Sequence, residues 1–134
     1  MKRRAPLQRS ALKRKPTTKT RGRRAGRARP RASSGWLERV LAAHGFRCVV
    51  CRGRATQGHH AIEQSVLCRE IDRDRVDVVE VLDDVRNGVP VCTRCHERHH
   101  TWTRRIRRAE LPGSVHAFAR DLGLEVFYDR GYPG

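Results

Sequence analysis

The chain has 134 residues, enough for one domain, with 30 Lys+Arg against 14 Asp+Glu and a formal charge of +16. A surplus of that size points to a polyanionic partner, nucleic acid first, because phosphate neutralisation by Lys and Arg releases counterions. No long uncharged apolar run is present, which argues against a membrane span, and the N-terminus lacks the apolar core of a secretory signal. A reducing cytosol is therefore expected, where five cysteines mean metal or redox chemistry rather than structural disulfides.

The charge is uneven. Residues 1–31 hold 14 Lys+Arg and no acid, whereas the remainder sets 16 arginines against all 14 acids. Residues 1–33 have few large apolar positions and are expected to be a basic arm, disordered when free, that binds DNA phosphates. A solubilising tail is the plainer alternative. Residues 34–134 are expected to fold as one α+β domain with little sheet.

Within that domain, Ser33 or Ser34 can cap a helix from about Gly35 to His44, with Trp36, Leu37, Val40 and Leu41 on its apolar face and Gly45 ending it. Cys48 and Cys51 then sit in a tight turn between short extended pieces. The segment carrying His59 and His60 reads as a strand or loop. Helical spacing at Ile62, Val66, Leu67 and Ile71 predicts a second helix, and Cys68 within it reads as an inert buried thiol. Residues 72–86 fit helix or loop. Asn87-Gly88 signals a turn, and Val89 to Val91 is short and extended. A helix should begin near Cys92–Cys95 and run past His100. Arg104 to Arg108 form a basic cluster, either a solvated helix face or a phosphate-binding surface. Pro112 to Leu122 predicts a helix burying Val115, Phe118, Ala119 and Leu122, and Leu124 to Tyr128 predicts a last strand.

Cys48-x2-Cys51 and Cys92-x2-Cys95 are two knuckles separated by 40 residues. Each can offer two thiolates to one ion, and together they complete a tetrahedral four-cysteine zinc site with no open position. That zinc is expected to serve folding, by clamping the His59 and His96 segments together. Redox cysteines would need a thioredoxin-like βαβ pattern, which is missing.

Five of the seven histidines remain beside this clamp: His59, His60, His96, His99 and His100. His96 and His100 are four apart, so they share a helix face and can reach one ion. His59 and His60 are adjacent on an extended piece and point to opposite sides, so one can bind metal while the other stays free. Metal-assisted phosphodiester cleavage needs that division between a cation and a separate neutral imidazole base. His99 is expected to face solvent, and some histidines could instead replace a cysteine on zinc. His44 and His116 read as a helix end and a helix surface.

The segments CVVC, GHHAI and RNGVPVCTRCHERHH, within about residues 46–101, resemble the HNH endonucleases of the ββα-metal group that carry zinc-knuckle cysteine pairs. The basic arm and the tail HAFARDLGLE are similar to small stand-alone HNH proteins of actinobacterial phages. The resemblance implies a ββα-metal domain with flanking helices, a phosphodiester hydrolase acting on DNA in the cytoplasm (that of a bacterial host, if phage-encoded), and a possible place among phage packaging proteins. It implies His59 and His96 as ligands of a catalytic ion, with His100 adding a ligand where members lacking that histidine use water. It makes His60 the general base and Asn87 the brace of the loop that orients it. Arg94 or Arg98 would replace the cation found near position 99 in many members, and Arg104, Arg105, Arg107 and Arg108 would extend the DNA-binding surface. The imidazole ligands admit Mn²⁺, Ni²⁺, Zn²⁺ or Mg²⁺, with nitrogen donors leaning away from Mg²⁺. The alternative is a non-catalytic zinc-ribbon nucleic-acid-binding protein.

Overall fold

A computed structural model describes residues 30–134, so the arm expected over residues 1–33 lies almost wholly outside the described residues. These residues form six α-helices and a two-stranded antiparallel sheet, an α+β arrangement with little sheet. In chain order they are α1 (Trp36–Ala43), β1 (Gln57–His60), α2 (Gln64–Glu70), α3 (Val78–Leu82), β2 (Gly88–Val91), α4 (Thr93–His100), α5 (Gly113–Asp121) and α6 (Glu125–Gly131). No helix among them is long and apolar enough to cross a membrane.

The first helix buries Trp36, Val40 and Leu41, spaced for one face, while Leu37 stays exposed. Its N-cap is Gly35 with no side-chain cap, so neither serine caps it; the Ser33 N–H instead donates to the Asp83 carboxylate. Gly45 and Phe46 both take left-handed φ, which reverses the chain, and the Phe46 N–H closes on the Leu41 carbonyl at 2.9 Å. A small hairpin follows, held by Cys48 N–H to Gly53 O (2.8 Å) and Ala55 N–H to Phe46 O (2.8 Å).

β1 pairs with β2 in the register Gln57 to Val91, Gly58 to Pro90, His59 to Val89 and His60 to Gly88. Pro90 cannot donate to a ladder, but its carbonyl accepts the Val49 N–H at 3.1 Å, which ties the first knuckle to β2. In the undecided stretch 72–86, Asp77 caps α3 through Val79 N–H and Asp84 caps the 3₁₀ turn Val85–Asn87 through Arg86 N–H.

Asn87-Gly88 is not a hairpin turn. Gly88 has φ −90° and opens β2. The glycine is needed because α1 lies directly on it: a Cβ there would sit 2.2 Å from Val40 Cγ2, and one at Gly58 would sit 2.8 Å from the Trp36 ring.

α4 ends at His100, with Thr101 as C-cap, rather than continuing. The predicted strand over Leu124 to Tyr128 is instead the entry to α6. Leu124, Tyr128 and Tyr132 recur every four residues and are all buried, whereas Val126, which strand alternation would bury with Leu124 and Tyr128, is 56% exposed. α5 buries Val115, Phe118 and Ala119 as expected, with Leu122 only partly covered. Cys68 is partly rather than fully buried.

Gly88→Ala should destabilise the fold by about 1–3 kcal/mol, since both Val40 methyl groups obstruct the new methyl. Gly113→Ala, where a Cβ meets nothing within 4 Å, should be neutral or better. Urea denaturation of the two variants checks the contrast.

Candidate metal centres

The two knuckles converge. Sγ of Cys48, Cys51, Cys92 and Cys95 all lie within 4.8 Å of one another, and those of Cys51 and Cys92 are 3.8 Å apart. A tetrahedral site with zinc–sulfur bonds near 2.3 Å has sulfur–sulfur edges of about 3.8 Å, so the donor set fits zinc in type, number and spacing. The four cysteines can therefore hold a structural metal. Local backbone explains the approach: Cys92 is the N-cap of α4 and its sulfur accepts the Cys95 N–H at 3.4 Å. Burial alone would raise the Cys48 thiol, but N–H groups of Cys51, Cys92 and Val50 hold it down at about 7. Burial pushes Cys95 up to about 12, with the neighbouring thiols adding to the effect. A cation among them would reverse that mutual cost.

A second cluster stands beside the first. Ligand nitrogens of His59, His96 and His100 lie within 4.8 Å of one another. The Nε2 atoms of His96 and His100 are 2.9 Å apart, against about 2.9–3.4 Å for two nitrogens on a shared ion with bonds near 2.0–2.1 Å. Hydrogen bonds at the opposite ring positions fix the tautomers of two of these rings. His96 Nδ1–H donates to Gln57 Oε1, leaving Nε2 with its lone pair. Tyr132 donates its hydroxyl to the Ala61 carbonyl (2.8 Å) and so accepts from His59 Nε2–H (2.9 Å), leaving the Nδ1 lone pair free to ligate a metal.

His99 does not face solvent. It is 6% exposed, lies parallel to Tyr132, and its Nδ1 accepts the Ile106 N–H at 3.0 Å. Burial forces this result: the turn after α4 folds Ile106 back beneath the helix.

His60 stands apart from the three-histidine group. Its ring stacks on Trp36 at 3.8 Å between centroids. Nε2–H donates to the Leu82 carbonyl (3.3 Å), and Nδ1 accepts from the Gln64 amide (3.3 Å). Strand alternation carried out the expected separation of His59 and His60, and it placed them in different surface depressions. Asn87 is wholly buried. Its Oδ1 accepts Ile62 N–H (2.8 Å), its Nδ2 donates to Ile62 O (3.0 Å), and its own carbonyl accepts Ala61 N–H (2.9 Å). It braces the turn that leaves the two histidines.

The arginines divide. Arg94 and Arg98 are exposed on α4. Arg104 to Arg107 lie in irregular chain, not on a helix face. Arg104 is taken by Glu110 and Arg108 pairs with Asp129 at 2.8 Å, so neither is a free cation; Arg107 is exposed. Arg105 and Arg130 line a cleft of roughly 340 Å³ shared with His59, His99 and His100. Sequence reasoning missed Gln57, Tyr132 and Arg130. Gln57 was reachable, since it shares a strand face with His59; nothing local marks the other two.

No protein-family model, curated protein or solved structure matches the chain.

The His59 imidazole is pushed down to about 2, by burial and then by repulsion from His99, His96, His100 and His60. His99 falls to about 4, by burial and then by Arg105, His100 and His96. Burial also lowers His96 and His60, the latter against the opposing pull of the Leu82 carbonyl and Asp83. With their values lowered, all four rings are neutral near pH 7.

Two outcomes follow. Cys92→Ser should lose tightly held zinc, measured by metal analysis after dialysis, and should melt at a lower temperature than the parent chain. Because the folded His59 and His99 values lie below the unfolded value near 6.5, their stability contribution is complete above pH 6.5 and is lost as pH falls, towards about 4 for His99 and about 2 for His59. Imidazole nitrogen NMR at pH 5.5 should find both rings neutral, and the melting temperature should be lower there than at pH 7.5.

Proposed function

We propose that the chain is a metal-dependent DNA endonuclease of the HNH kind. One observation carries this reading: beside a closed four-thiolate set stands a separate three-imidazole set whose His59 and His100 border an arginine-lined cleft. Structural zinc needs only the first. The antiparallel β1–β2 pair followed by α4 also agrees with a ββα-metal core.

His59, His96 and His100 would hold the catalytic ion. When bound, such an ion offsets charge on the phosphorus-centred transition state and on the departing 3′ oxygen. The remaining work falls to the chain. Nε2–H anchored on the Leu82 carbonyl keeps the Nδ1 lone pair free in the neutral ring; His60 then takes the proton of the attacking water at Nδ1, in place of the Gln64 amide, and becomes the imidazolium. Water oxygen bonds to phosphorus as the bond to the 3′ oxygen breaks. Since His60 and His59 lie on opposite faces of β1, the phosphate must lie across that strand. Asn87 fixes the turn that sets the two histidines. Arg105 and Arg130 offer phosphate contacts, and Arg94, Arg98 and Arg107 offer exposed charge.

The stacking of His60 on Trp36, away from the three-histidine group, favours a second reading: a zinc-containing DNA-binding protein in which the histidine site is structural. Plasmid cleavage separates them. Full-length protein freed of loosely held metal and given Mn²⁺, Mg²⁺, Ni²⁺ or Zn²⁺ in turn should nick or linearise plasmid. His60→Ala should lose at least about 100-fold in rate while retaining DNA binding. Undiminished cleavage by that variant would remove His60 as the base, and tight binding without cleavage under every metal would favour the second reading.

A further inference from the structure

Trp102 is the most exposed large apolar side chain among the described residues, at 75%. It sits at a left-handed φ of 60° in the turn that follows α4. An indole so placed adds little to the core. The Arg105 guanidinium lies over it, 3.8 Å from the ring centroid, and the exposure leaves the other face of the indole open.

Arg105 is not spent on an acid. It donates to the Gly131 carbonyl and, unlike Arg104 and Arg108, forms no ion pair among the described residues. Trp102 and Arg105 form one wall of the cleft that contains His59 and His100, and Arg130 adds a second cation. Glu63 is the acid of that cleft, so a phosphate is directed to the arginine side. An open aromatic face beside cations suits a nucleobase next to its phosphate, because every base has a π-face. In an intact duplex those faces are covered by neighbouring pairs, and only a splayed or unpaired base can present one.

We propose that the open face of Trp102 stacks an unpaired nucleobase, so that the cleft takes single-stranded or locally opened DNA in preference to intact duplex. The choice of substrate rests on the nuclease reading, but the stacking itself does not require cleavage.

Fluorescence tests this on the full chain with catalytic metal withheld. The chain has two tryptophans, Trp36 buried and stacked on His60 and Trp102 exposed, and none in residues 1–31, so quenching that is lost in Trp102→Ala is assigned to Trp102. A single-stranded oligonucleotide should quench the emission. A long duplex, and a single strand made only of abasic residues, should not. Trp102→Ala should weaken single-strand binding at least about fivefold, leave duplex binding within about twofold, and abolish the quenching; Trp102→Phe should recover part of the affinity. Equal quenching by duplex or abasic strand, or equal loss of affinity for both forms of DNA, would overturn the stacking. Base-dependent quenching by a protein that cleaves under no metal would support the stacking and count against the nuclease, whereas cleavage without base-dependent quenching would do the reverse.

Discussion

Four thiols meeting at one point are the constraint on which the rest depends. Two strands of four residues each cannot hold together in water by themselves. Here the first knuckle is sewn to β2 through Val49 and Pro90, and the second knuckle is the junction of β2 with α4. Joining the knuckles therefore fixes three things at once: the pairing of β1 with β2, the angle at which α4 leaves the sheet, and the distance from His59 to His96 and His100. A chain with this little sheet gains rigidity where its chemistry would lie, and relies on ordinary helix packing elsewhere.

A second layer of order comes from small atoms in tight places. α1 rests on Gly58 and Gly88, so its Trp36 can reach across and cover the His60 ring. Asn87 supplies both a donor and an acceptor to Ile62 in the interior, where an unpaired backbone group would be costly. Tyr132, reaching back from the end of α6, links the Ala61 carbonyl to His59. α6 and the tyrosine that follows it thus border the histidine site, which ties the tail of the chain to its centre.

The cysteine cluster was legible because two short spacings of one residue type leave few arrangements that satisfy the chemistry. The division between His59 and His60 followed from strand period alone, and the shared face of His96 and His100 from helix period. Long-range placement was not legible. That His99 would be covered depended on Ile106 folding back under α4, and the role of Tyr132 depended on how α6 returns. The last segment misled because Leu-Glu-Val-Phe-Tyr alternates well enough for a strand, while its four-residue repeat becomes visible only when Tyr132 is included. The basic cluster was legible only as charge, because charge counts do not say which arginines already have acid partners, as Arg104 and Arg108 do.

Asn87-Gly88 carries one more consequence. An asparagine followed by glycine is the pair most prone to close into a succinimide, because the glycine nitrogen is unhindered and can attack the side-chain carbonyl. In the folded chain the amide is pinned at both ends, Oδ1 accepting from Ile62 N–H and Nδ2 donating to Ile62 O, so its carbonyl carbon cannot swing onto the Gly88 nitrogen, whose N–H donates to the Val85 carbonyl. The fold thus shields its only asparagine from a reaction that unfolding would permit. An isoaspartyl linkage at this position would break the brace on the Ile62 turn, so chemical ageing of the unfolded chain would make the loss of native structure irreversible.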